Sequence, residues 1–135
     1  MAEKVFFEII TPQKIVLEGE ADCVILPGDM GEFGVQPGHI SLFSLLHPGE
    51  LRYNNDLKTS HLAISFGFVE VFRDRVSVLV DTAEKKEDIE VERARASMER
   101  AQERLKNKQA EGIDFARAEA ALKRAVARLK VAGRP

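Results

Sequence analysis

Cysteine is almost absent from this chain: Cys23 is the only one in 135 residues. One thiol cannot close an intrachain disulfide or supply a cysteine cluster for zinc, so a disulfide scaffold and a zinc finger are both excluded and the fold must stand on packing. Long apolar runs are missing too. No stretch approaches the roughly 18 to 20 uncharged apolar residues that span a bilayer, and Met1-Ala2-Glu3-Lys4-Val5 lacks the basic-then-apolar layout of a secretory leader. The expectation is a soluble, intracellular protein. Net charge is small: 20 basic against 22 acidic side chains give −2, which offers little general attraction to nucleic acid or anionic lipid. With 44% hydrophobic and 31% charged residues, the chain can build one modest core, or a small domain with an appendage, but not a large multidomain enzyme.

The parts of common catalytic sites are also missing. Gly28-Asp29-Met30-Gly31-Glu32-Phe33-Gly34 has the glycines of a phosphate-cradling loop, but such a loop works at a helix N-terminus and no helical pattern follows, so the segment reads as a turn. No Gly-Lys-Ser/Thr sequence is present. No two of His39, His47 and His61 stand at helical ligand spacing, and no serine lies in a Gly-x-Ser-x-Gly elbow, so zinc chemistry and acyl transfer lack their residues. Cys23, in an apolar run, reads as a small buried residue with an inert thiol. His39 follows Pro37-Gly38, a rigid turn able to present it to a partner.

What is present divides into two halves. Through Asp81 the chain is a series of short β-rich runs punctuated by Gly, Pro and Asn: 5–10, 14–18, 21–26, 31–35, 42–46, 50–53, 60–65, 68–72 and 76–80. Many short strands at close spacing argue for an antiparallel sandwich or barrel. From Glu84 the composition shifts to Ala, Arg, Glu, Lys and Leu, all good helix formers. Helices are expected over about 88–108 and 113–131, with Asp88 and Asp114 as N-caps and Gly112 at the turn between them. The domains are therefore placed at 1–84 and 85–135. The apolar stripe of the first helix is Ala94, Met98, Ala101 and Leu105, and that of the second is Phe115, Ala118, Leu122, Ala125 and Leu129. Both stripes are thin and rich in alanine. Docking of such a hairpin on the sandwich should be worth only a few kcal/mol, which makes it a movable element. Charge divides at the same place. Residues 1–87 carry 8 Lys+Arg and 14 Asp+Glu, net −6, and residues 88–135 carry 12 and 8, net +4, a hint that the tail meets an acidic surface.

On the helices, Arg124 and Arg128 are one turn apart, and Glu90 and Arg93 are neighbours at i,i+3. Arginines and a carboxylate converging across a hairpin could hold a nucleotide's phosphates and ribose. The competing reading is an ordinary solvated face laced with ion pairs.

Laid end to end, the chain resembles the epsilon subunit of the F-type ATP synthase. The resemblance is carried by Leu26 to His39 (Leu-Pro-Gly-Asp-Met-Gly-Glu-Phe-Gly-Val-Gln-Pro-Gly-His), by His47-Pro48-Gly49, by Ile64 to Val71, and by Val76 to Glu84 at the domain junction. In the helical part it is carried by Ile89 to Ala94 and Ala121 to Leu129. It covers essentially the whole length and implies a sandwich of about ten antiparallel strands followed by an antiparallel helical hairpin. It further implies a noncatalytic subunit of the central-stalk rotor, coupling ion flow to ATP synthesis. In the family the sandwich packs on the gamma subunit and touches the c-ring, and the hairpin can fold down against the sandwich or extend along gamma toward beta and alpha subunits, where it restrains ATP hydrolysis. By matching position the Glu32 turn would face the c-ring and His39 would lie toward gamma. Membrane association would come only through the complex, on the cytoplasmic face of a bacterial inner membrane.

Some bacterial relatives bind ATP through an Ile/Leu-Asp-x-x-Arg-Ala motif with arginines on the second helix. The matching positions here are Glu84, Ile89, Glu90, Arg93, Ala94, Arg124 and Arg128, with Glu90 in place of the aspartate. The resemblance thus implies that no cofactor is required and that ATP is a candidate regulatory ligand. Two other classes stay open: a small ATP-sensing module, and a free-standing β-sandwich adaptor whose helices recruit an unrelated coiled-coil partner.

Overall fold

The computed structural model describes residues 3–107 and 114–135. Ten strands precede two helices: β1 (Val5–Ile10), β2 (Ile15–Ala21), β3 (Cys23–Gly28), β4 (Gly31–Val35), β5 (Leu42–Leu46), β6 (Gly49–Asn55), β7 (Lys58–Ile64), β8 (Gly67–Phe72), β9 (Arg75–Val80), β10 (Ala83–Lys85), α1 (Val91–Lys106) and α2 (Phe115–Ala132). The strands run β10-β7-β6-β3-β5-β8-β9-β1-β2, with β4 paired on β3. All ladders are antiparallel except β1 with β9, which is parallel over Phe6↔Arg75 to Ile10↔Leu79. The sheet narrows to the single pair Gly28↔Leu46 between β3 and β5, and there it folds into the two layers of a sandwich.

Period-two alternation decides which faces close on the core. Val5, Phe7 and Ile9 of β1 are buried and their neighbours are not. Val76, Val78 and Val80 of β9 do the same from the adjacent strand. They meet Val24, Leu26, Leu51 and Leu62 of the opposite layer in one apolar cluster, and Phe7 crosses it to Tyr53 with ring centroids 4.5 Å apart. The β8–β9 turn is Arg73-Asp74, both with φ in the left-handed region, at 49° and 60°, the geometry of a tight hairpin turn whose twist suits the flanking strands. Asp74 Oδ1 accepts a hydrogen bond from the Gly38 backbone N–H at 2.7 Å, which ties the loop before β5 to that turn.

Strand β10 is a three-residue addition to the edge of β7, pairing Ala83↔Ile64, Glu84↔Ala63 and Lys85↔Leu62. Nothing in Ala-Glu-Lys alternates, so pattern alone could not reveal it. Asp88 does not cap the first helix. It lies in a 3-10 turn, Lys86–Asp88, and Glu90 takes the N-cap position without a side-chain hydrogen bond. The cause is Ile89, which stays extended with φ −86° and ψ 122° while its side chain packs against Ala63, Ala127 and Val131, so the helix can begin only beyond it. Asp114 does cap α2, accepting a hydrogen bond from the Arg117 N–H at 3.0 Å. The turn expected at Gly112 and the inner helix ends at 108 and 113 fall outside the described residues.

The hairpin has a core of its own. Helix α1 buries only Ala94 and Ala101 and packs chiefly on α2, which in turn lies against β6 and β7. Ala118 and Ala125 of the expected α2 stripe are buried, whereas Phe115 remains 45% exposed. A second buried face of α2, Ala127 and Val131, meets Ala63 and Ile89 in a small cluster separate from the sandwich core. Burying one valine and a few smaller groups in this way is worth roughly 3 kcal/mol.

Candidate functional site

Between hairpin and sandwich lies a cleft of about 570 Å³, in the size range of small-molecule sites. One wall is β10 and the loop before β2. The other is the Glu90 N-cap and the first three turns of α1, where Glu90, Arg93, Ser97 and Arg100 follow helical spacing, with Arg128 from α2 completing the lining. Of the residues singled out from sequence, Glu84, Glu90, Arg93, Ala94 and Arg128 line the cleft. The other two do not. Ile89 is turned into the docking cluster, and Arg124, one turn before Arg128, is half-buried and off the lining. The cleft adds Lys14, Ser97 and Arg100. Arg100 could have been found by extending the Arg93 face by two turns of helix, but Lys14 could not, because it comes from the other end of the chain.

Arg128 Nε donates to Glu84 Oε1 at 2.5 Å, and the two side chains are 29% and 31% exposed. The remaining charged lining consists of Lys14, Arg93 and Arg100 against Asp81, Asp88 and Glu90. The cleft can therefore offer guanidinium forks to an anion, but with nearly balanced charge and with Arg128 shared.

The residues expected to meet partners lie elsewhere. Glu32 on β4 is not a free turn residue: Arg52 on β6 donates to it in a fork, Nη2 to Oε1 at 2.7 Å and Nη1 to Oε2 at 2.9 Å. The Arg52 guanidinium holds the Glu32 carboxyl below its ordinary range despite some desolvation. His39 is half-buried, its Nδ1 2.6 Å from the Ile40 carbonyl oxygen. It stands at the end of an apolar face that sequence reasoning passed over. Phe43 and Leu45 of β5 are 61% and 55% exposed, Phe72 of β8 is 53% exposed and Ile40 78%. The Phe43 and Phe68 ring centroids lie 5.2 Å apart, with the rings tilted by 31°. The register Leu45↔Phe68 and Phe43↔Glu70 puts the β5 and β8 side chains together on the outer surface, with Glu70 among them, an exposed apolar face of the kind that suits a partner. The apolar character of these strands on both faces was visible in the sequence, but which face was outer was not.

A family model for the beta-sandwich domain of the ATP synthase delta/epsilon chain matches residues 4–86, and one for the long alpha-helix domain of the same chain matches residues 87–133. The chain belongs to the ATP synthase epsilon chain family. The ATP synthase epsilon chain of Geotalea daltonii is 48% identical over 134 residues, which is 99% of this chain and 97% of that one. That of Citrifermentans bemidjiense is 46% identical with the same coverage. Among solved structures, a chain of the Euglena gracilis mitochondrial ATP synthase, determined with OSCP, F1 and c-ring, aligns with a TM-score of 0.81 at 23% identity, covering 96% of this chain and 81% of that chain. A chain of the Tetrahymena thermophila mitochondrial ATP synthase central stalk and c-ring aligns with a TM-score of 0.59 at 15% identity, over 96% and 93%. At such identities the two structures share the fold with this epsilon-family chain. Among the described residues no helix is long and apolar enough to cross a membrane, and no group of His, Cys, Asp and Glu is placed to hold a metal ion.

Proposed function

We propose that this chain is the noncatalytic central-stalk rotor subunit of an F-type ATP synthase. It links the gamma subunit to the c-ring, couples ion translocation to ATP synthesis, and restrains ATP hydrolysis through a hairpin that leaves the sandwich to reach beta and alpha subunits. The observation that carries this reading is the hairpin's separate, small docking cluster: α2 meets the sandwich through Ala63, Ala127, Val131 and Ile89, not through the main core. An element docked for a few kcal/mol can change posture when a neighbouring subunit offers comparable contacts. The outer face of β5 and β8 supports docking on gamma, with His39 at its border. The complex would hold the chain at the cytoplasmic face of the membrane.

The test is ATP hydrolysis by the assembled enzyme with and without residues 88–135. Turnover should rise on truncation, and unchanged turnover would leave the tail without an inhibitory role. Replacing Phe43 by serine should weaken recovery of gamma with the tagged subunit while leaving the sandwich folded.

ATP fits the hairpin cleft as a regulatory ligand of low affinity. Arg93 and Arg128 offer guanidinium groups to phosphates and Glu90 offers a carboxylate to ribose hydroxyls, but a polyanion entering the cleft must share Arg128 with Glu84 and face Asp81 and Asp88. Ala94 is buried beside it at 2% exposure, where its small side chain keeps α1 close to α2. Titration of ATP at millimolar levels into wild type and Arg93→Ala would decide it, and identical null curves would remove the idea.

A further inference from the structure

The hairpin's deepest polar contact with the sandwich lies outside the cleft. Glu50 on β6 has a side chain only 1% exposed. It receives Arg134, two residues beyond α2, in a fork: Nε to Oε2 at 2.8 Å and Nη2 to Oε1 at 2.8 Å. His61 on β7 places Nδ1 3.0 Å from Oε2, and Arg52 reaches Oε1 at 3.4 Å while it grips Glu32. Burial works against the Glu50 charge, but the hydrogen bonds and charge of Arg134, with those of His61, more than offset it and hold the carboxyl below its ordinary value.

We propose that the Arg134–Glu50 fork is the latch of the docked hairpin and that Glu32 supports it by engaging Arg52, which otherwise competes with Arg134 for Glu50. A buried carboxylate is tolerated only when paired. Docked, Glu50 is covered and answered by Arg134. Undocked, it regains water and still has His61 and Arg52, so the sandwich can hold both states. The fork matches the carboxylate in a plane, which a lysine ammonium cannot do. When Glu32 is neutralised, Arg52 loses its fork partner and can turn from 3.4 Å onto Glu50 Oε1, where it competes with the Arg134 fork.

This inference rests on the mobile hairpin of the proposed function, and hydrogen exchange on the full chain separates the two. In wild type, α2 amides should exchange faster than those of β1 and β9. Arg134→Ala should accelerate α2 amides by about tenfold, the loss of a charged hydrogen-bonded pair, with strand amides unchanged, and Arg134→Lys should fall between. Glu32→Gln should accelerate the same amides by about two- to threefold, as for a partly exposed charge. If Arg134→Ala leaves α2 unchanged while Val131→Ala accelerates it, the latch is wrong and the mobile hairpin stands. If α2 and strands exchange together in wild type, the mobile hairpin falls and the latch with it. An unchanged α2 in Glu32→Gln refutes the role given to Glu32.

Discussion

Two valines of equal burial should behave differently when shortened. Val131 of α2 and Val78 of β9 are both 0% exposed, but Val78 belongs to the sandwich core and Val131 to the docking cluster. Trimming either to alanine removes two methyl-sized groups, about 1.6 kcal/mol at roughly 0.8 kcal/mol per group, and the residual cavity raises this to about 2 kcal/mol. At 1.4 kcal/mol per factor of ten, that is about a 30-fold shift in an opening equilibrium. For Val131→Ala the shift should fall on hairpin undocking alone. Native-state digestion with trypsin, scored by mass spectrometry for cleavage after Arg124 and Arg128 within α2, reads the open population when reclosing is fast relative to cleavage. Cleavage there should rise by about that factor in Val131→Ala. The urea midpoint of strand unfolding should fall in Val78→Ala but not in Val131→Ala. If both variants lower the strand midpoint equally, the hairpin and the sandwich form one cooperative unit, and the separation of their cores has no energetic meaning.

Three further outcomes follow from local geometry. Gly67→Ala should destabilise the sandwich by several kcal/mol and lower its urea midpoint, because a Cβ at Gly67 would run into the Leu79 carbonyl oxygen across the β8–β9 ladder, and backbone there cannot yield cheaply. Asp114→Ala should reduce helicity at the start of α2 and cost about 1 kcal/mol by removing the bond from the Arg117 N–H, visible as faster amide exchange in its first turn. Because the Glu50 carboxyl is held below its ordinary value of 4.5, its contribution is complete above pH 4.5 and is lost as pH falls through the lowered value. A urea series from pH 3 to 7 should show an acid-side loss in wild type that is reduced in Glu50→Gln, and equal acid-side slopes would refute that assignment.

Most of the sandwich was legible because its short β-rich runs are separated by turn residues. Runs 5–10, 31–35 and 42–46 have the bounds read from the sequence, since in each the apolar period ends at Pro, Gly or Asn. The errors occur where tertiary contact overrides local signal. The Asp88 N-cap failed because Ile89 is worth more in the docking cluster than in a helical turn. The docking face of α2 was missed because Ala127 and Val131 stand off the stripe that continues from Ala118, and a helix sandwiched between α1 and the sheet needs two buried faces where a single-stripe reading supplies one. In the cleft, spacing found Arg93 and Arg128 but also Arg124, which shares a side of the helix with Arg128 without lining the cleft. Glu50 was not singled out at all: a glutamate in a largely polar strand carries no mark of burial, and its partner Arg134 is 84 positions away.

The charge asymmetry between the halves gains its meaning from these contacts. An excess of acid in the first 87 residues and of base in the rest suggested an acidic partner for the tail, but the first acidic surface the tail meets is its own sandwich. Arg128 is bound to Glu84 and Arg134 to Glu50, and in both pairs the cation belongs to the hairpin and the acid to a strand. Since α1 packs chiefly on α2, lifting the hairpin need not break the contact between its helices. The main losses are those two pairs and the cluster around Val131, and each lost ion pair releases a guanidinium that any other acidic surface can take up. The interactions that hold the hairpin down are thus of the kind a competing acidic partner could replace, whereas the branched apolar core of the sandwich offers no such exchange.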